Sequence, residues 1–336
     1  MPDQLLFAIE VALNGLMAGV LYALVALGFV LIFKASGIFN YAQGVMVLFA
    51  ATTLSGIMDG RVPFSHLINA IFGTHIYYFG WHVPAFIAVV PTVGVMVGLA
   101  WCVQRFVMRH LVNQKPIILF MATIGLAYFL EGISDLMWGS EIRVLDVGLP
   151  QGLNIVIDET TYGWFGYGVF IDNLDIVATI IAALLVVILM MFSQYTKEGR
   201  AMRAVADDHQ AALSVGVSLN FIWVMVWSVA GFVALIAGIM WGTKSGVQFS
   251  LSLIALKALP VLMLGGFTSI PGAIVGGLII GMGEKLFEFC FGTGQCFGGV
   301  INLGGATENW FAYVLALIFL VFRPQGLFGE KIIERV

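Results

Sequence analysis

The chain has 336 residues, of which 60% are hydrophobic and 10% charged, with a mean hydropathy of +1.01 and a formal net charge of -4. A water-soluble protein of this size needs about a quarter of its residues charged to cover its surface, so a cytosolic enzyme and a nucleic-acid binder are excluded. Disorder is excluded because so apolar a chain could not stay solvated; the composition is that of a membrane protein, and its 40 glycines suit the close helix contacts such proteins use.

A hydrocarbon core about 30 Å thick needs roughly 20 apolar residues of helix, so uncharged runs read as candidate spans. In chain order these are 11–33, 35–58, 83–103, 116–138, 176–195 and 219–242. The run 245–283 has Lys257 as its only charge and is interrupted at Gly265-Gly266-Phe267-Thr268-Ser269-Ile270-Pro271-Gly272, so it reads as two segments. That break is either a tight cytoplasmic turn or an irregular stretch lining a cavity, since unpaired backbone cannot face lipid. A short span at 309–322 closes the series. The expected fold is an all-α polytopic membrane protein with about nine transmembrane helices, or eight to ten if segments are broken or re-entrant.

Charge segregation sets the expected orientation. Basic residues cluster at Lys34, at Arg105, Arg109 and Lys115, at Lys197, Arg200 and Arg203, and at Arg323, Lys331 and Arg335. The positive-inside rule makes those loops cytoplasmic. Residues 131–175 carry Arg143 as their only Lys or Arg, so this stretch is assigned outside. The N-terminus has no basic residue in Met1-Pro2-Asp3-Gln4, which argues against a cleaved signal peptide and fits an outside start. The C-terminus then lies in the cytoplasm. The polar inserts 59–82, 139–173 and 289–308 fall on the outer face. Cys102 reads as a small apolar residue. Cys290 and Cys296 share the third insert, where an oxidising periplasm permits a disulfide that spacing alone does not decide.

No GxxxxGK[ST] loop is present, so ATP binding in the P-loop manner is excluded, and no clustered His, Cys or Asp suggests a metal. No catalytic residue and no cofactor is expected. The informative segment lies between the fifth and sixth spans, within residues 196–218. At 100° per residue, Met202, Val205, Ala206, His209, Ala212, Leu213 and Gly216 fall within about 120° of one another. Arg200, Arg203, Asp207, Gln210 and Ser214 cover the other side, with Arg203 and Asp207 one turn apart. This predicts one short amphipathic cytoplasmic helix bounded by Gly199 and Gly216. An interfacial helix lying on headgroups is the plain alternative; the Ala-rich apolar face and mixed charge suit a groove on another protein better.

Three further features stand out. Gly37-Ile38-Phe39-Asn40-Tyr41-Ala42-Gln43-Gly44 sets two amides between apolar runs, reading as a capped helix break or as a wall of a permeation path. Asn40 and Gln43, together with Thr123 and Lys257, form the candidate path. Gly272, Gly276, Gly277 and Gly281 place small residues four apart, the spacing of close helix packing. Lys257 at mid-bilayer would cost roughly 3 kcal/mol, so it is expected to snorkel to an interface or face a polar cavity.

The 37–44 segment resembles the Gly-(Ile/Met)-Ile-Asn-Phe-Ala-(His/Gln)-Gly signature of the branched-chain amino-acid ABC transporter permeases of the LivH type. The resemblance continues through Gly199-Arg200-Ala201-Met202-Arg203-Ala204-Val205-Ala206-Asp207-Asp208. It extends to Leu256-Lys257-Ala258, to Leu264-Gly265-Gly266 with Ser269-Ile270-Pro271-Gly272-Ala273, and to Phe322-Arg323-Pro324-Gln325-Gly326-Leu327-Phe328-Gly329. Tyr41 stands where the family has Phe, and the outer inserts look longer than the family's. The resemblance implies a bacterial inner-membrane subunit that pairs with itself or a sister permease. It also implies two cytoplasmic ATPases and a periplasmic binding protein that delivers a branched-chain or other amino acid, or a related small amide or acid. The amphipathic segment then corresponds to the helix that couples to the ATPase, carried by Gly199, Arg200, Met202, Arg203, Val205, Ala206, Asp207, Asp208 and Leu213. The alternative from another class is a self-sufficient ion-coupled secondary transporter, which would show ionisable residues inside its spans.

Overall fold

The computed structural model describes residues 2–73, 75–111, 114–157, 169–207, 209–294, 296, 303–304 and 307–329, with side chains left out at 2–6, 154–157, 169, 207, 209, 210, 308 and 309. Among the described residues the chain is mostly helical: α1 (Pro2–Ser36), α2 (Gln43–Met58), α3 (Ser65–Phe72), α4 (Ala85–Cys102), α5 (Pro116–Trp138), α6 (Asn173–Tyr195), α7 (Lys197–Asp207), α8 (His209–Ser214), α9 (Leu219–Ser245), α10 (Ile254–Gly265), α11 (Ile270–Phe287) and α12 (Thr307–Phe322). One departure from the all-α expectation lies in the 139–175 insert. There β1 (Leu153–Ile157) and β2 (Val169–Asp172) pair antiparallel, with Leu153 opposite Asp172 and a bulge between Ile155 and Ile157. Two strands bury too little to register in a composition dominated by helices.

Among the described residues five helical stretches are long and apolar enough to cross a membrane: Phe7–Ser36, Ala85–His110, Pro116–Trp138, Asn173–Tyr195 and Leu219–Ser245. The pair Phe249–Gly265 and Ile270–Gly292 passes the same test together but bends by 114°. The described residues thus hold five candidate spans, or six if the bent pair is one, the make-up of a polytopic membrane protein. Helices Gln43–Met58 and Trp310–Phe322 are apolar but shorter. The sequence expectation of a second full-length span at 35–58 is corrected: α1 continues to Ser36, residues 37–42 are not helical, and α2 keeps 16 residues. At 1.5 Å per residue α2 is roughly 24 Å long.

The chain folds as two compact units, each assembled from separated segments. Unit 2, residues 27–148 and 188–255, is organised around α2, whose residues Gln43 to Gly56 are all buried. Helices α4, α5 and α9 and the 3-10 turn Phe249–Leu253 pack on it. This explains the short helix and the irregular approach to it: backbone that leaves helical geometry at membrane depth is tolerated where protein, not lipid, surrounds it. α4 runs on through a π turn at Val103–Val107 and a 3-10 turn at Met108–His110. It thereby carries Arg105 and Arg109 beyond the predicted end of the third span.

Unit 1, residues 1–26, 149–187 and 256–336, contains the strand pair and the α11–α12 contact. Its α1 and α11 meet through glycines. A Cβ on Gly15 would lie 2.8 Å from the Gly281 carbonyl oxygen, and one on Gly277 would lie 2.8 Å from the Ala23 Cβ. Gly272 and Gly276 approach α10 instead, at Gly265 and Val261. The turn between α10 and α11 is tight. Ser269 caps α11 by accepting from the Gly272 N–H at 3.0 Å, and Gly266 takes φ 103°, a conformation glycine adopts freely. Cys290 and Cys296 are disulfide-bonded at the end of α11's π turn, Glu288–Gly292.

Candidate functional site

The Gly37–Gly44 break is built from its own polar groups. The Asn40 side-chain oxygen accepts from the Ala42 N–H at 3.2 Å, and the Asn40 carbonyl accepts from the Gln43 N–H at 3.2 Å, turning the chain into α2. From α5, the Thr123 hydroxyl accepts from the Tyr41 N–H at 3.1 Å and lies 3.2 Å from the Phe39 carbonyl. Gln43 donates to the Ala230 carbonyl of α9 at 3.4 Å, and its amide fills the space a side chain on Gly28 would need. Asn40, Gln43 and Thr123 are 0% exposed. The structure brings these three together as one buried staple joining α2, α5 and α9. Lys257, the fourth candidate, lies in unit 1.

Lys257 is not a lone snorkelling cation. Its ammonium stands 3.4 Å from the Glu284 carboxylate of α11 and donates to the Tyr22 hydroxyl of α1 at 3.3 Å. The Lys257 side chain is 33% exposed and that of Glu284 only 2%. The expectation that Lys257 snorkels to an interface or faces a polar cavity did not include a partner; the structure adds Glu284, a buried carboxylate that would be costly without a counter-charge. A separation of 27 residues hides this pair in the sequence.

The loop after α6 differs from the single helix expected. It contains α7 and α8, with residue 208 outside the described residues between them. Gly199 is inside α7, not at its boundary, and α7 is capped by Thr196, whose hydroxyl accepts from the Gly199 N–H at 2.9 Å. Glycine is needed there because a Cβ would come 2.7 Å from the backbone of Ser193. Met202 and Val205 are buried, and α7 packs on α9. The apolar face of α7 is thus turned onto its own chain. Arg200 and Ala204 are exposed and Arg203 half-buried, so this edge, not Met202 or Val205, is what a partner would meet. Ala206 is half-buried and Leu213 on α8 is exposed. Asp208 and the Asp207 side chain lie outside the described residues, and with them the expected Arg203–Asp207 pair.

The remaining motifs meet each other. The Leu327 N–H donates to the Leu264 carbonyl at 2.8 Å and the Phe328 N–H to the Gly265 carbonyl at 3.2 Å. The 322–329 segment therefore satisfies the open carbonyls at the end of α10. Lys331 and Arg335 lie outside the described residues.

Cavities open among the described residues of unit 2. One, of about 380 Å³, is lined by Thr52, Tyr128, Ser134, Asp135, Glu141 and Phe249 among others, with Thr52 and Ser134 hydrogen-bonded at 2.8 Å. Beside it the Glu141 carboxyl is held below its ordinary range by the hydrogen bond and charge of Arg61, 3.0 Å away. Burial lowers the Arg143 guanidinium pKa, with Arg61 adding to the effect. Another cavity, about 670 Å³, is walled by apolar residues of α2, α4 and α5, including Phe49, Cys102 and Phe129. Among the described residues no group of three or more His, Cys, Asp or Glu is placed to hold a metal.

The family model described as branched-chain amino acid transport system / permease component matches residues 11–323. The chain is 26% identical to the high-affinity branched-chain amino acid transport system permease protein LivH of Escherichia coli, over all of both chains. It is 27% identical to the corresponding permease protein BraD of Pseudomonas aeruginosa, over 96% of each. It is 24% identical to the fructose import permease protein FruF of Bifidobacterium longum, over 90% of this chain and 75% of that one. Because the family match runs over nearly the whole chain, from residue 11 to residue 323, the chain belongs to the family of permease components of branched-chain amino acid transport systems.

Proposed function

We propose that the protein is the membrane-spanning subunit of an ATP-binding-cassette importer in the bacterial inner membrane. It carries a small solute, a branched-chain or other amino acid or a related amide or acid, delivered by a periplasmic binding protein. It works with a second permease subunit, identical or sister, and two ATPase subunits that hydrolyse the ATP. Residues 1–336 act as one permease domain, with the N-terminus outside, the C-terminus in the cytoplasm and about nine crossings once α2, α10, α11 and α12 are counted with the long helices. Residues 139–175 form a periplasmic insert and 196–218 the coupling loop.

The observation that carries this reading is α7. Its apolar side is anchored on α9 while Arg200, Arg203 and Ala204 form an outward edge, which suits a helix that transmits force as a rigid body. Asn40, Gln43 and Thr123 are assigned to the path as the joint at which α2, α5 and α9 would shift between states, with Lys257 as a further element of the path.

Reconstituted alone in liposomes, the protein is expected neither to hydrolyse ATP nor to accumulate solute. With its partners restored, Arg203→Glu should lower substrate-stimulated ATP hydrolysis at least tenfold while membrane insertion and melting stay unchanged; full uptake by this variant removes the loop from the mechanism. The Lys257–Glu284 pair is the one observation favouring an ion-coupled secondary transporter. Concentrative uptake by the lone chain under an ion gradient would establish that reading instead.

A further inference from the structure

Between the end of α2 at Met58 and the start of α4 at Ala85 the chain makes a folded excursion that the transport reading leaves unused. Its backbone is stitched to helix ends: the Phe64 N–H donates to the Met137 carbonyl of α5 at 3.0 Å and the Val83 N–H to the Met58 carbonyl of α2 at 2.9 Å. It therefore lies level with the ends of α2 and α5 and the beginning of α4. Internally it is braced by Val62 N–H to Tyr77 carbonyl at 3.0 Å and Phe79 N–H to Gly60 carbonyl at 2.8 Å. The Asn69 side chain adds a bond in each direction to the Ile76 backbone, at 3.0 and 3.2 Å.

What this rigid frame presents is apolar. Ile71, Phe72, Ile76, Tyr78, Phe79 and Trp81 are all more than half exposed, Phe72 by 73%. Residues 62–84 contain six Phe, Tyr and Trp rings, three histidines and no Asp, Glu, Lys or Arg, so no permanent charge here steers a charged partner. The neighbouring charges form a separate layer, where Arg61 pairs with Glu141 at 3.0 Å and lies over the Tyr78 ring at 5.3 Å. On the other side, Phe86 and Val90 continue the exposed apolar face down α4, a candidate span whose outer surface meets hydrocarbon. The order from charge through aromatic rings to aliphatic helix is that of a bilayer from headgroup to acyl chain.

We propose that this excursion is a membrane-interface anchor, with Ile71, Phe72, Ile76, Tyr78, Phe79 and Trp81 seated at the boundary between headgroups and acyl chains. A soluble partner that binds and leaves would return six large apolar side chains to water after each encounter, whereas lipid covers them throughout. The proposal needs only that α4 spans the bilayer and does not depend on the coupling assignment.

The test is spin-label accessibility on the full chain in phosphatidylethanolamine–phosphatidylglycerol vesicles, with Cys102→Ser as background and Ile71→Cys, Phe72→Cys or Phe79→Cys labelled singly. Collision with dissolved oxygen several-fold above collision with an aqueous nickel chelate is expected at all three sites, whether or not soluble partner subunits are added. Ready access to the nickel chelate overturns the proposal, and shielding that arises only on adding a soluble subunit replaces the lipid with a protein partner. In unlabelled protein, Trp81→Phe should lower the fraction of tryptophan fluorescence quenched by lipids brominated near the glycerol end; an unchanged fraction also overturns it.

Discussion

Glu284 is where residue-level chemistry departs furthest from what composition suggests. Its carboxylate is 2% exposed, and Lys257, itself hydrogen-bonded to Tyr22, reaches it at 3.4 Å as a counter-charge. Removing one partner leaves the other charge buried and unpaired, a loss of roughly 3 kcal/mol even though Lys257 keeps some access to solvent. Lys257→Met is therefore expected to lower melting temperature in detergent clearly. The double variant Lys257→Met with Glu284→Gln should recover much of that loss, because no unpaired charge remains. Equal damage by the single and double variants would mean that the pair contributes through packing alone. Thr123 illustrates the same logic without charge, since one hydroxyl serves two backbone groups of a chain segment 82 to 84 residues away.

Helix contacts show how one sequence pattern acquires two meanings. Gly277 and Gly281 stand four apart on α11, as Gly94 and Gly98 do on α4. The first pair presses against Gly15 and Gly19 of α1, whereas a Cβ at either glycine of the second pair would meet nothing within 4 Å among the described residues. Gly277→Val should accordingly destabilise by about 1–3 kcal/mol or prevent folding, as overpacked contacts do. Gly98→Ala should stay within about 0.5 kcal/mol of the parent. Thermal melts of the two purified variants check both, and similar values would contradict the α1–α11 contact. The loop helix α7 follows the same lesson. Its period and its apolar side were readable, but not that Met202 and Val205 on that side pack onto α9 of the same chain.

For the whole molecule, two units are drawn from interleaved stretches of chain, and α1, α6 and α10 each contribute residues to both. If Asn40 and Gln43 belong to the path, the buried state described here is one of at least two. A cysteine at either position should be inert to a small aqueous thiol reagent in the resting protein and react at least tenfold faster during turnover with ATP and partners. Protection in every transport state would leave the pair as a helix-break staple only.

The apolar segments, their order and the family motifs were legible in the sequence, because lipid imposes a run length and a shortage of charge that no tertiary contact can override. The match of 116–138 to α5 and of 219–242 to most of α9 shows how far that constraint reaches. Only the tertiary structure decided that α2 is a short buried axis, that Lys257 meets Glu284, and that Gly277 is pressed against α1 while a Cβ on Gly98 would meet nothing within 4 Å among the described residues. Each of those depends on which surfaces meet across tens to hundreds of residues. Hydropathy records how apolar a segment is, and the identity of its neighbour is set by shape and by the need to pair every buried charge.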